Sequence, residues 1–231
     1  KPEYFQGDTF KQLLPYARLV GILGANAIRE ARLIKGTVGS TIAMSKARDA
    51  ETFEHMERIA DLSRAIAVRL APQIGFSDEY ITMLEQFAPL HDLGKLSIPD
   101  HILLKPGPLN DEEFAHMRLH VQYGVELLER MAKELELENS NQIRLLREVI
   151  AYHHEKLDGS GYPYGLQGGQ IPWAGRIIGV ADVYDALTSE RPYKQAWSKE
   201  EACAQLHQET GAKKLCPQAV QALFEELDAQ N

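Results

Sequence analysis

The sequence predicts an all-α fold, a helical bundle, and three observations point to it. Apolar residues recur at helical spacing from about residue 47 to about residue 228, with breaks at 72–77, 97–110, 157–172 and 190–198. Ser77-Asp78-Glu79 and Asn110-Asp111-Glu112-Glu113 stand directly before periodic stretches, with an oxygen to accept the first backbone N–H groups and acids at the positive helix end. Convincing strands are absent.

The first element is an N-terminal helix over residues 13–34, where Leu13, Ala17, Val20, Gly24, Ala27, Ala31 and Ile34 repeat in a 4-3-4-3 pattern. Gly24 and the alanines allow close approach on that seam. Weak core residues make a poor coiled coil, so packing of this helix on its own domain is favoured, and a homodimer through it is the alternative. Arg18, Arg29, Glu30 and Arg32 exclude a membrane span or a signal-peptide core there. The pattern breaks at residues 36–41, so residues 1–46 read as an N-terminal helical and linker segment and residues 47–231 as one catalytic-sized domain.

Inside that domain, Phe53, Met56, Ile59, Ala60, Leu62, Ala65, Ile66 and Ala67 line a helix over residues 51–70. A capped helix follows over residues 80–90 and another begins after Asn110. Residues 133–138 are charged with mixed sign, as on a solvated helix face, and residues 213–227 are helical in pattern without reactive groups.

Composition narrows the function. Lys and Arg total 25 against 33 Asp and Glu, a formal charge of −8, which excludes a general nucleic-acid binder. Cys203 and Cys216 are too few for a disulfide framework and are not spaced as a zinc ribbon, so a reducing cytoplasm is expected. The chain opens on Lys1 rather than Met, consistent with a fragment that has lost an upstream sensor domain. Eight histidines in so acidic a chain raise the prospect of metal ligation.

Their positions sharpen it. His91-Asp92 are adjacent at the end of an apolar helix turn, and neighbouring helical residues point about 100° apart. Such a pair serves neighbouring ions rather than clamping one. His153-His154-Glu155 is a second adjacent pair before a glycine-rich loop, His120 and Asp182 add an imidazole and a carboxylate, and Glu51 and His55 stand at i, i+4 where both reach a common ion. Oxygen and imidazole ligands without thiolate suit Fe, Mn, Ni or Zn. His101, His116 and His207 have no partner pattern and read as surface or packing histidines. Trp173 and Trp197 read as core, and Glu155 reads equally as an orienter of a ligating histidine or as a helix-end acid. Arg48, Asp49 and Arg58 flank the Glu51–His55 face as salt-bridged support.

With His153-His154-Glu155, the loop spells HHExxDGxGYP, and here the chain resembles the HD-GYP family, the branch of HD metal-dependent phosphohydrolases that hydrolyses cyclic dinucleotides. The resemblance also takes in Arg48-Asp49-x-Glu51-Thr52 with His55 and Arg58, and His91-Asp92-x-Gly94-Lys95. It continues through Ile171-Pro172 with Arg176-Ile177 and the stretch from Asp182 to Lys194, in the family's order. It implies an HD helical bundle extended by the HD-GYP helices. It implies metal ligation by His55, His91, Asp92, His120, His153, His154 and Asp182, with Asp92 bridging, and a third ion through Glu51. Two or three divalent ions are therefore expected, with Fe or Mn favoured. Lys95 matches the family's active-site lysine, while Tyr162, Arg191 and Lys194 would bind substrate. The implied reaction is attack of a metal-bound hydroxide on 3′,3′-cyclic di-GMP, giving pGpG and in turn GMP, with Asp92 or Asp182 taking the proton. Cyclic GMP-AMP is the rival substrate. A non-catalytic dinucleotide sensor, or a module docking a GGDEF-type cyclase through Gly161-Tyr162-Pro163, is the rival class.

Overall fold

The computed structural model describes Gly36, Ser40 and residues 53–190 and 195–229. The expected N-terminal helix and any dimer contact through it lie outside these residues. The chain divides into two compact units, Lys1–Ser40 and Thr41–Asn231, and every helix named below belongs to the second.

Helix α1, Phe53–Ile74, buries Met56, Ile59, Ser63, Ile66, Ala67 and Leu70, a three- and four-residue spacing that makes one inward face. It runs past the break expected at Pro72 and ends at Gly75, whose φ of +84° suits glycine and whose N–H donates to Ala71 O at 2.8 Å. Helix α2, Asp78–Phe87, starts where Ser77 Oγ accepts from Tyr80 N and buries Ile81, Leu84 and Phe87. It stops short of the expected residue 90 because Pro89 has no N–H for a helical bond to residue 85. Two 3₁₀ turns, Ala88–Leu90 and Leu93–Ser97, follow, and His91-Asp92 sits between them rather than on an α-helix.

Helices α3, Asp100–Leu103, and α4, Asp111–Arg118, come next, the latter closed by a reciprocal cap between Asn110 and Glu113 with both bonds at 2.8 Å. Helix α5 spans His120–Glu134 and α6 spans Asn141–Tyr152. After the glycine-rich loop come α7, Trp173–Thr188, α8, Lys199–Gly211, and α9, Pro217–Ala229. Among the described residues there is no strand, only an isolated bridge between Asp158 and Gln167. No helix among them is long and apolar enough to cross a membrane.

Helix α7 is buried nearly all round, through Ala174, Gly175, Ile177, Ile178, Gly179, Val180, Ala181, Tyr184 and Asp185, as befits the central helix of a bundle. It packs on α1, α6, α8 and α9, while α6 also packs on α2 and α5. Trp173 is half-buried, and Trp197, 38% exposed, is not the core residue expected, because it lies in the connection before α8.

Two seams set how close these elements come. Gly94 lies so near α5 that a Cβ would meet His120 O at 1.7 Å and Gly124 N at 2.4 Å. On the central helix, Gly175 and Gly179 are one turn apart, and Cβ atoms there would meet Tyr152 and the carbonyl of His153 within 2.8 Å. Gly94→Ala must push the turn and α5 apart and is expected to cost about 3 kcal/mol, the upper end for overpacking. Gly211→Ala, where a Cβ meets nothing within 4 Å, should stay within about 0.5 kcal/mol. Urea midpoints at constant slope measure both.

Candidate metal centre

The buried ends of these elements carry His55, His91, His120 and His153, each 4% exposed or less, which is unusual for a polar ring without a task. In each, Nδ1 is engaged on the protein side. His91 Nδ1 lies 2.9 Å from Ala88 O, His120 Nδ1 2.8 Å from Met117 O, and His153 Nδ1 2.9 Å from Ile150 O. A carbonyl can only accept, so each Nδ1 carries the hydrogen and Nε2 of the neutral ring presents a lone pair. His55 Nδ1 makes the equivalent bond to Asp185 Oδ2 at 2.6 Å.

The Nε2 atoms of His91, His120 and His153 come together around Asp92. Asp92 Oδ2 lies 3.1 Å from His91 Nε2, and Oδ1 lies 3.0 Å from His120 Nε2 and 3.7 Å from His153 Nε2. His120 and His153 hold their Nε2 atoms 3.5 Å apart. Burial pushes the Asp92 carboxyl up, but the Lys95 charge and the surrounding His91, His120 and His153 rings outweigh it and hold it well below the usual carboxylate range. Burial holds His153 and, more strongly, His154 below the usual imidazole range, so those rings are neutral. Lone pairs of neutral imidazole facing an ionised carboxylate repel one another unless positive charge lies among them. The donor set therefore fits divalent cations.

Two neighbouring groups are able to hold an ion. Asp92, His120, His153 and His154 form one, and His55, His91 and Asp182 the other, with the offered atoms of each group within 4.8 Å of one another. His91 and Asp92 thus fall in different groups, as expected of adjacent residues, although they sit on a turn and their side chains approach each other to 3.1 Å. Lys95 Nζ stands 2.8 Å from Asp92 Oδ2. Tyr162 places its ring 4.6 Å from that of His154, and burial with the nearby Asp92 charge raises its phenol well above the usual range. Glu51, Arg191 and Lys194 lie outside the described residues, as do Arg48 and Asp49. His101, His116 and His207 enter neither group.

Asp185 was given no role by the sequence. It is 1% exposed and receives His55 Nδ1 together with the guanidinium of Arg58, whose Nη2 donates to Oδ2 at 3.1 Å. Burial raises its carboxyl, but the bonds from His55 and Arg58 prevail and hold it at about 2. The signal was its spacing of three from Asp182 on one helix, which puts both on one face. Glu155 fills neither role expected of it. Its two oxygens accept Tyr164 N at 2.8 Å and Leu166 N at 2.9 Å, fastening the loop beyond the histidine pair. Gly161 approaches the protein's own backbone, since a Cβ would meet Lys156 N at 2.3 Å.

Comparison with known proteins agrees with this geometry. A family model described as HD domain matches residues 42–218. The chain is 42% identical over 183 residues to the 3′3′-cGAMP-specific phosphodiesterase 2 of Vibrio cholerae, covering 79% of this chain and 33% of that one. It is 42% identical over 181 residues to a cyclic di-GMP phosphodiesterase of Thermotoga maritima, covering 78% of this chain and 46% of the other. The chain thus spans less than half the length of these curated relatives. Among solved structures, Bd1817, an HDG"Y"P protein from Bdellovibrio bacteriovorus, shares the fold with a TM-score of 0.56 at 20% identity, over 85% of this chain and 63% of that one.

Asp185→Asn keeps the shape but removes the charge that faces Arg58 and His55. It is expected to cost about 3 kcal/mol, as when a buried pair loses one partner, and to weaken metal binding roughly tenfold or more through His55. Arg58→Ala, on a side chain already 40% exposed, should cost less. Urea titration and elemental analysis after dialysis read the two effects separately.

Proposed function

The chain belongs to the HD domain family, in its HD-GYP branch, and from that premise we propose that it is a metal-dependent phosphodiesterase that opens 3′,3′-cyclic di-GMP to pGpG and in turn to GMP. The carrying observation is Asp92, which turns one oxygen toward His91 of one group and the other toward His120 and His153 of the second. The residues that would hold metal are His55, His91 and Asp182 on one side and Asp92, His120, His153 and His154 on the other. Glu51 would hold a third ion. Divalent ions there, Fe or Mn by preference, supply positive charge to the phosphoryl oxygens and make water a nucleophile at neutral pH.

The protein's own groups do the rest. Asp92, kept ionised, joins the two groups as an anion shared between them. Lys95, paired to Asp92 at 2.8 Å, is the ammonium that would hold a non-bridging phosphoryl oxygen as charge builds there. Tyr162 stays a neutral phenol and presents a donor hydroxyl without repelling the phosphodiester. Arg191 and Lys194 would bind phosphate or guanine, Arg through its planar donor fork. Cyclic GMP-AMP is a second reading, supported by the substrate named for the Vibrio cholerae relative.

Protein loaded anaerobically with Fe²⁺ or Mn²⁺ should convert cyclic di-GMP to linear product. No hydrolysis of either cyclic dinucleotide with any divalent metal would overturn the enzyme assignment. Lys95→Ala should keep its metal and lose about 10²–10³-fold in kcat, the usual loss for a group that stabilises developing charge. His91→Ala or Asp92→Ala should lose metal and activity together, and Glu51→Ala should lower the bound-metal count by one.

A further inference from the structure

Against the Tyr162 ring stands a cation that neither the motifs nor the metal groups use. Arg118 is the last residue of α4 and exposed, and its Cζ lies 4.9 Å from the Tyr162 ring centroid and 4.7 Å from that of Phe114. Ring contact steadies a guanidinium without consuming its N–H donors. Arg58 and Arg147 spend theirs on carboxylates and Arg176 on backbone carbonyls. Arg118, by contrast, has no carboxylate or carbonyl acceptor among the described residues. Phe114 is itself 45% exposed, an unusual position for a phenyl ring whose visible partner is a cation. The rings of His154, Tyr162 and Phe114 with the Arg118 guanidinium thus form a continuous row from the metal centre to the surface.

We propose that Arg118, steadied by Phe114 and Tyr162, is a substrate-binding residue that donates its N–H fork to a pair of acceptor atoms on the part of the cyclic dinucleotide away from the scissile phosphate. This rests on the function proposed above. A guanidinium fork matches two oxygens of a phosphodiester or the O6 and N7 of guanine. It does not match adenine, whose equivalent edge pairs an acceptor with a donor. A cyclic dinucleotide offers a second phosphate and two bases, so both sources lie on the same ligand.

Steady-state kinetics of metal-loaded Arg118→Ala with cyclic di-GMP should show KM raised about tenfold or more, the scale of a lost charge-assisted bond, with the loss on KM rather than kcat. Arg118→Gln is the second variant, and metal content with far-ultraviolet circular dichroism verifies that each is folded. If the acceptors are phosphate oxygens, Arg118→Lys recovers most of the loss and the effect is equal for cyclic di-GMP and cyclic GMP-AMP. If they are guanine's, Lys recovers little and cyclic di-GMP suffers more than cyclic GMP-AMP. KM within twofold of wild type for both dinucleotides in both folded variants would overturn the assignment. Should wild type turn over neither dinucleotide, the proposed reaction fails on its own. Calorimetric Kd values for cyclic di-GMP in wild type and Arg118→Ala then decide the binding role.

Discussion

An ionised carboxylate ringed by imidazole lone pairs is the interaction around which this bundle is organised. Asp92 is held anionic inside the protein by Lys95 and by the three histidines within reach of it. Lys95 answers only one of its oxygens, and the imidazole nitrogens that crowd the other are best satisfied by further positive charge among them. The backbone carbonyls that take each Nδ1 hydrogen make the demand sharper, because they commit the opposite nitrogen to the centre. The glycine seams serve the same end. Without a side chain at Gly94 the turn carrying His91 and Asp92 can lie against α5, and without side chains at Gly175 and Gly179 the central helix can bring Asp182 beside the end of α6.

The second requirement is a rigid support for the half of the centre built on α1 and α7. Asp185 provides it from the last turn of the most buried helix, holding His55 and Arg58 across the α1–α7 contact. Ion pairs of this kind contribute little net stability when well made and cost much when half-removed. Its value is geometric: the pair fixes the His55 ring in one orientation while two helices pack around it. The Glu155 carboxylate does for the loop what Asp185 does for the helix pair, accepting two backbone N–H groups that fix its path beyond Tyr162.

Net charge acts differently at the surface and at the centre. A formal −8 disfavours long polyanions over the surface as a whole. The buried centre is nonetheless built from imidazole rings and few carboxylates, with Lys95 paired to Asp92 and Arg118 against the Tyr162 ring. On the function proposed above, a small dianion is selected by a cleft while the outer surface stays acidic.

Helical class, the capped starts at Ser77 and Asn110, and the grouping of five histidines with Asp92 and Asp182 were all legible in the sequence. Periodicity, caps and rare residue types are local signals, and a family string in fixed order adds to them. The sequence also carried the expectation that His91 and Asp92 reach neighbouring ions, and the two residues fall in different groups. It did not carry the backbone beneath them, which Pro89 turns from α-helix into 3₁₀ turns. Nor did it carry the roles of Asp185, Glu155 and Arg118 or the exposure of Trp197, since each depends on which distant residue arrives beside it. Asp185 is 130 positions from His55, and Arg118 meets Tyr162 only through the folded loop. The sequence by itself determined which groups were available for chemistry. Tertiary structure decided which lone pairs converge and which cations stay uncommitted, because hydrogen bonds and close packing act over a few ångströms of space and not along the chain.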